Sequence, residues 1–372
     1  MTDVLAAARR AEPFAREAAD AAETSRRLPS DLVETLVAEG LMRMGVPQAY
    51  GGPGASPMDI VQAIAEVARG DGAAGWCVMI AATTSSLAGF LEPSAAETIY
   101  RNPLSVSGGA YAPSGTAVSV PGGWRVTGRW QWGSGGQHCQ WMLGGCITDT
   151  KEFRLMFAPS AAISIHDTWF VSGLRGTGSN DFEMVDVFVP EHHSVLPLAA
   201  RAMVDEPLAR FPNFNLLAAG VAATTLGIAR RAIDEVVALA ASKRPSMSTK
   251  TIAQSSLVQF DIARAEAHLG SARAWLLEAL NDGWQTALGG DRVSIDQRVR
   301  VRMAAAHAAT QAAAATDLAY NAAGGSSVFN TSPLQRCHRD VHTATQHLMV
   351  SPRILESAGR VLLGQSIDTS QF

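Results

Sequence analysis

Gly173-Leu174-Arg175-Gly176-Thr177-Gly178-Ser179-Asn180-Asp181, running into Phe182–Pro190, is the stretch on which the fold turns. Taken bare, its glycines suggest a phosphate-cradling loop. A dinucleotide-binding loop, however, opens a helix directly after a strand. This one joins strands, so that reading fails. Upstream, Trp124, Val126, Trp130 and Trp132 alternate with Arg125, Thr127, Arg129 and Gln131, the period of a strand with one buried face. Pro121-Gly122-Gly123 supplies the turn from a preceding strand through Val118 and Val120, and Trp141–Thr148 and Phe153–Ala158 continue the pattern. Residues 104–205 therefore read as a β-sheet domain, central and antiparallel.

Both flanks are helical. Residues 1–103 form an N-terminal helical domain, with Gly51-Gly52-Pro53-Gly54 as a loop of breakers between helices. After Pro207 four long stretches, roughly 213–242, 251–287, 291–322 and 332–364, predict a C-terminal four-helix bundle over 206–372. The first and third are apolar on most of their circumference, as in Ala218–Ala223 and Ala304–Ala315. Helices of that kind need burial on several sides, and copies of the same chain are the expected source. The fold class is α+β.

Composition narrows the function. The 372 residues carry 30 Lys+Arg against 34 Asp+Glu, a formal net of −4, without the basic excess of a nucleic-acid or anionic-membrane surface. Cys77, Cys139, Cys146 and Cys337 form no CxxC pair, which fits a reducing, cytoplasmic setting. The N-terminal stretch has no apolar segment of signal-peptide length, and Leu216–Ala229 reads as too short and interrupted to span a bilayer. His338 and His342 stand four apart, but no third ligand is in register, so no metal is expected.

Over essentially the whole chain, this organisation resembles the acyl-CoA dehydrogenase superfamily. The Gly173–Asp181 segment is similar to that superfamily's sheet-domain motif. Leu41-Met42-Arg43-Met44-Gly45-Val46-Pro47, followed by Tyr50-Gly51-Gly52, resembles its N-terminal signature. Asn321–Ser327 with Gly324-Gly325, then Arg339-Asp340, resembles its C-terminal flavin-contacting segment.

Dehydrogenases of this superfamily place a Glu base shortly after the Arg-Asp pair. Alignment on Arg339-Asp340 puts Leu348 there, which cannot abstract a proton; the nearest downstream carboxylate, Glu356, lies about two helical turns on. What remains resembles the two-component flavin monooxygenases often called group D. The resembling segments are Gly109-Ala110-Tyr111-Ala112-Pro113-Ser114-Gly115, Gly128–Gly135 with His138, and Arg339-Asp340 followed by His347. In the aromatic hydroxylases of that group a His often follows an early Gly-Trp by eight residues. Here Gly75-Trp76 leads to Thr84.

The resemblance implies hydroxylation of an aromatic or polycyclic substrate through a flavin C4a-hydroperoxide, with dioxygen and with reduced flavin (FMNH2 or FADH2) from a separate reductase. Ser134 matches the position that contacts the flavin edge, and Trp132 would shield the ring. Gly324, Gly325 and Ser326 resemble the segment that meets the cofactor across a subunit boundary in a homotetramer, and Arg244 is a candidate phosphate contact. His347 is the candidate base or hydrogen-bond acceptor, its intrinsic pKa being near neutral; Asp340 precedes it by two helical turns. Thr84, Tyr111 and Met349 are expected to line the substrate pocket, and the small residues across 81–86 to enlarge it. Competing readings are an acyl-CoA dehydrogenase or oxidase with a displaced base, a nitrogen or sulfur oxygenase of the same fold, and a silent scaffold.

Overall fold

The computed structural model describes residues 3–198, 201–246, 248–368 and 372. Five helices lead: α1 (Val4–Ser25), α2 (Ser30–Ala38), α3 (Pro57–Gly70), α4 (Gly72–Ser85) and α5 (Pro93–Tyr100). Helix α3 starts where the sequence stops the chain from wandering. Ser56 accepts the Asp59 N–H, the Asp59 carboxylate reaches back, and Pro57 fixes the first helical φ. Helix α4 is apolar all round and buried along almost its entire length, so packing rather than an amphipathic face holds it.

Seven strands follow: β1 (Ser107–Val120), β2 (Gly123–Gly133), β3 (Trp141–Thr148), β4 (Phe153–Pro159), β5 (Ser164–His166), β6 (Asn180–Pro190) and β7 (Ser194–Val195). They form one sheet in the order β5-β6-β2-β1-β3-β4-β7. The sheet is mostly but not wholly antiparallel: β1 and β3 run parallel, from Ser107↔Trp141 to Ala117↔Thr148. The central sheet is otherwise antiparallel, as expected. Strand β2 hairpins off one edge of β1 and carries on to β6, so the chain returns through the 134–140 segment to reach β1's other edge in the same direction.

The C-terminal helices are α6 (Asn213–Ala240), α7 (Ser256–Leu288), α8 (Ile295–Ala322), α9 (Pro333–Ala344) and α10 (Arg353–Leu362). Among the described residues the expected fourth helix is thus two, α9 and α10. The break spans 345–352, where a short 3-10 turn at Leu348–Val350 precedes Pro352; a proline restricts the residue before it to extended backbone. His347 lies in that break rather than on the helix of Asp340.

Helix α6 corrects a second expectation. Every residue from Asn215 to Ala229 is buried within the subunit, packed against α3, α4, α8 and α9. Its apolar circumference is therefore satisfied without a second copy. By length and composition it and Gly72–Phe90 pass as membrane-crossing helices, contrary to the reading of 216–229, but in each the apolar 18-residue window is 89% buried inside the protein.

Candidate active site

The site begins where β2 ends. Between Trp130 and Gly133 the β2–β6 register shifts, and Trp132 takes a left-handed φ of +65°. A bulge of this kind re-aims a side chain: Trp132 stands 64% exposed, while Ser134 just beyond it is buried. A bulky residue at positive φ is strained, and it holds a large aromatic face open beside an enclosed hydroxyl.

Ser134 Oγ is the centre of a network. The Trp76 indole N–H donates to it at 3.1 Å, and it shares a hydrogen bond of 2.7 Å with Ser179 Oγ. Ser179 in turn meets Thr177 Oγ1 at 2.6 Å, and the Thr177 hydroxyl donates to the Leu174 carbonyl at 2.8 Å. Trp76 comes from α4, and its ring stands edge-on to His347 with centroids 5.5 Å apart. One indole therefore joins Ser134 and His347, which the sequence places more than two hundred residues apart.

His347 is held by its own backbone. Its Nδ1 accepts the Met349 N–H at 3.2 Å. Burial, with the Arg302 charge adding to it, pushes its pKa down to about 4. The ring is neutral at pH 7, and since Nδ1 accepts, Nε2 carries the proton. His347 thus presents a donor, not the near-neutral base expected from its intrinsic pKa. Arg302, buried on α8, donates to the Met349 carbonyl at 3.3 Å, so Met349 is tied at both its N–H and its C=O. Burial lowers the Arg302 pKa to about 10.

The other expected residues divide. Thr84 is buried on α4, eight residues after Trp76. Tyr111 belongs to a separate group: its hydroxyl donates to Asn213 Oδ1 at 3.0 Å, its ring meets Phe214 edge-on at 5.8 Å, and Asn213 Nδ2 donates to Thr83 O and Ser86 Oγ. A cleft of about 920 Å³ takes in Asn213, Phe214, Phe90, Arg201, Arg210 and Arg292, but not His347, Ser134 or Trp132. The Gly324–Ser326 turn is partly exposed, with Gly324 at φ +54°. Lys243 Nζ donates to the Ala323 carbonyl, whereas Arg244 beside it is exposed. The sequence reading missed Lys243 and Trp76, because both act through partners distant in the chain.

Behind the site, the Gly173–Asp181 loop is clamped to α9. An added Cβ on Gly173 would lie 2.2 Å from the Arg339 carbonyl, so only glycine permits the approach. Arg339 and Arg336 both bind Glu23 of α1, at 2.6 and 2.8 Å. Asp340 turns the other way and accepts the Leu174 N–H at 2.5 Å. The third group that the His338/His342 spacing lacked is Asp317 of α8, whose Oδ1 lies 2.8 Å from His342 Nε2 and 3.3 Å from His338 Nε2.

Burial and the nearby Asp71 push Asp340 up to about 7. Asp71, which caps α4 through the Ala74 N–H at 2.9 Å, rises to about 6, mainly by burial. Carboxyls raised above their unfolded values hold protons that the unfolded chain has lost, so they destabilise the fold as pH rises through 6–7. Wild-type protein should lose roughly 1 kcal/mol from this pair between pH 6.5 and 8. Asp340→Asn keeps an oxygen for Leu174 and should flatten most of that slope in urea denaturation. An unchanged slope would mean that Asp340 is ionised throughout.

With this geometry in view, the kinship is plain. Residues 5–94 match the acyl-CoA dehydrogenase N-terminal domain and residues 219–352 the acyl-CoA dehydrogenase C-terminal domain. Indole-3-acetate monooxygenase of Pseudomonas putida is 31% identical over 347 residues, 92% of this chain and 89% of that protein. The oxygenase subunit HsaA, a flavin-dependent monooxygenase of Rhodococcus jostii, is 29% identical over 91% of this chain and 92% of its own. The crystal structure of 3-HSA hydroxylase from Rhodococcus sp. RHA1 superposes with a TM-score of 0.93 at 27% identity, covering 100% of this chain and 99% of that one. Both domains and the relatives over nearly the whole chain agree: the chain belongs to the flavin-dependent monooxygenases of the acyl-CoA dehydrogenase superfamily.

Proposed function

We propose that this chain is the oxygenase component of a two-component system that hydroxylates an aromatic or polycyclic substrate, drawing reduced FMN or FAD from a separate reductase. One observation carries the reading: the Trp76 indole joins a buried Ser134 hydroxyl to a neutral His347, and Leu348, where a dehydrogenase would carry its base, is an apolar side chain 60% exposed. Glu356 stands exposed on α10, which gives the displaced-base alternative little support.

The residues fit a flavin. Trp132 offers an open aromatic face, and Ser134 behind it keeps a lone pair unused by the hydrogen bonds described. When bound, reduced flavin supplies the two electrons with which dioxygen delivers one atom to the substrate and the other to water. Ser134, with a lone pair to offer, would accept a hydrogen bond from the reduced ring, and Trp132 would keep water off it. Gly324, Gly325 and Ser326 offer backbone to the cofactor, and Arg244, next to Lys243, adds positive charge for its phosphate. His347 would offer its Nε2–H on the substrate side, with Thr84, Tyr111 and Met349 as the residues that would surround the substrate.

A homotetramer fits the apolar residues left in the open: Leu257 and Phe260 on α7, and Val328 and Phe329 after the glycine turn. A cytoplasmic setting fits the four unpaired cysteines.

The test is a balance of products. Anaerobically reduced FMN or FAD is mixed with protein and with indole-3-acetate or a phenol, and oxygen is then admitted. The expected result is hydroxylated product at the expense of hydrogen peroxide. Bleaching of tightly held oxidised FAD by an acyl-CoA, with no oxygenated product, would overturn the reading.

A further inference from the structure

We infer that the Leu174–Thr177–Ser179–Ser134 chain makes this site select reduced over oxidised flavin. The inference rests on the placement of Ser134 against the flavin edge proposed above, and its argument is one of counting protons.

A hydroxyl has one proton to give. The chain ends on the Leu174 carbonyl, which can only accept, and which takes the Thr177 hydroxyl proton at 2.8 Å. Thr177 therefore has none left for Ser179, so the 2.6 Å contact between them requires Ser179 to donate. Ser179 in turn has none left for Ser134, and the 2.7 Å contact requires Ser134 to donate inward. The Trp76 indole N–H, a donor only, fills one of the lone pairs on Ser134. What Ser134 has left is a single lone pair. Its hydroxyl, and those of Thr177 and Ser179, are buried, so water does not readily reset the order.

The two redox states of a flavin differ at the nitrogen this edge presents. Reduced flavin carries an N–H there, a donor; oxidised flavin carries a lone pair, an acceptor. A Ser134 that can only accept satisfies the first and opposes the second. Were its proton free, it could turn and donate to the oxidised ring equally well. Discrimination is thus set by Thr177 and Ser179, which touch no cofactor and act as positioning residues by fixing the direction of the chain. Leu174 itself is placed by Asp340, which accepts its N–H.

Binding alone reads this out, without turnover. Oxidised FMN and FAD are titrated into the protein by fluorescence, and the reduced forms by anaerobic titration, giving two Kd values for each variant. Wild type should favour reduced flavin by at least about tenfold, the worth of one hydrogen bond made rather than opposed. Ser179→Ala frees the Ser134 proton and should tighten oxidised-flavin binding by roughly tenfold, leaving the reduced form within about threefold. Thr177→Val, which leaves Ser179 free to turn towards Ser134, should act in the same direction. Thr177→Ser restores the hydroxyl and should restore the preference. Melting temperatures of all variants check folding.

If Ser179→Ala and Thr177→Val leave the ratio untouched while Ser134→Ala changes it, the proton chain is wrong and the placement of Ser134 stands. If Ser134→Ala changes neither affinity, Ser134 does not meet the flavin and both ideas fall. The monooxygenase reading is judged separately, by product and peroxide.

Discussion

His347→Ala should lower the product formed per reduced flavin oxidised on the order of a hundredfold, with hydrogen peroxide making up the difference. The affinity for reduced flavin should change by less than about threefold, because the proposed function assigns His347 to the substrate and not to the flavin. The reason is the state of the ring. Its Nδ1 is spent on the Met349 N–H and its pKa lies at about 4, so at neutral pH it offers Nε2–H and cannot take a proton through that atom. His347→Gln, which keeps an N–H donor, should recover part of the loss. The pH dependence discriminates further. A base at its ordinary pKa would give a limb near pH 6.5 that disappears in the variant; a neutral donor gives none there, and changes only as pH falls towards 4, where protonation of Nδ1 breaks its bond with the Met349 N–H and frees the ring. A limb near 6.5 that His347→Ala removes would restore the general-base role read from the sequence.

The contrast shows what a sequence can carry. Local periodicity located the helices and most of the strands, because each pattern is written in neighbouring residues: the alternation through Trp124–Trp132, the breakers at Gly51–Gly54, the turn at Pro121-Gly122. The glycine segment at 173–181 was legible as a strand connection for the same reason. The pairing of β1 with β3 was not, since parallel partners are chosen by how the chain returns and not by either strand's own pattern. The fourth helix was overrun because 332–364 holds few strong breakers, and the 3-10 turn at Leu348–Val350 is fixed partly by the His347 side chain on its own backbone.

The site divides in the same way. That Leu348 replaces a base could be read from register, and so could the candidacy of Ser134 and His347. Their connection could not. Trp76 joins them across three elements, and the sequence reading treated Gly75-Trp76 only as a ruler for finding Thr84. Asp340 is subtler. Spacing set it on the face of His347, yet the helix ends at Ala344 and the carboxyl turns to Leu174. Nor did the spacing of His338 and His342 contain Asp317, which arrives from another helix.

Trp130→Ala should cost about 3–5 kcal/mol of folding stability, the range for emptying a large buried aromatic site. Trp130 is fully buried, stacks on Phe182 of β6 at 5.1 Å between centroids with planes 17° apart, and donates its indole N–H to the Gly145 carbonyl at 2.8 Å. The slot it fills is made by glycines: a Cβ on Gly144 would lie 2.5 Å from the indole, and one on Gly115 2.3 Å. The glycines have no side chains with which to fill the space, so a large cavity term is expected. Trp130→Phe keeps an aromatic ring for Phe182 but leaves the Gly145 carbonyl without its donor, and should fall between the two. Because Trp130 borders the register shift in β2 and Trp132 lies within it, loss of the first should also loosen the strained backbone that presents the second. Urea denaturation should therefore show the stability loss, and flavin titration a weaker site at temperatures where the variant is still folded. A loss below about 1 kcal/mol, with flavin affinity unchanged, would show that the bulge is held from the Ser134 side alone.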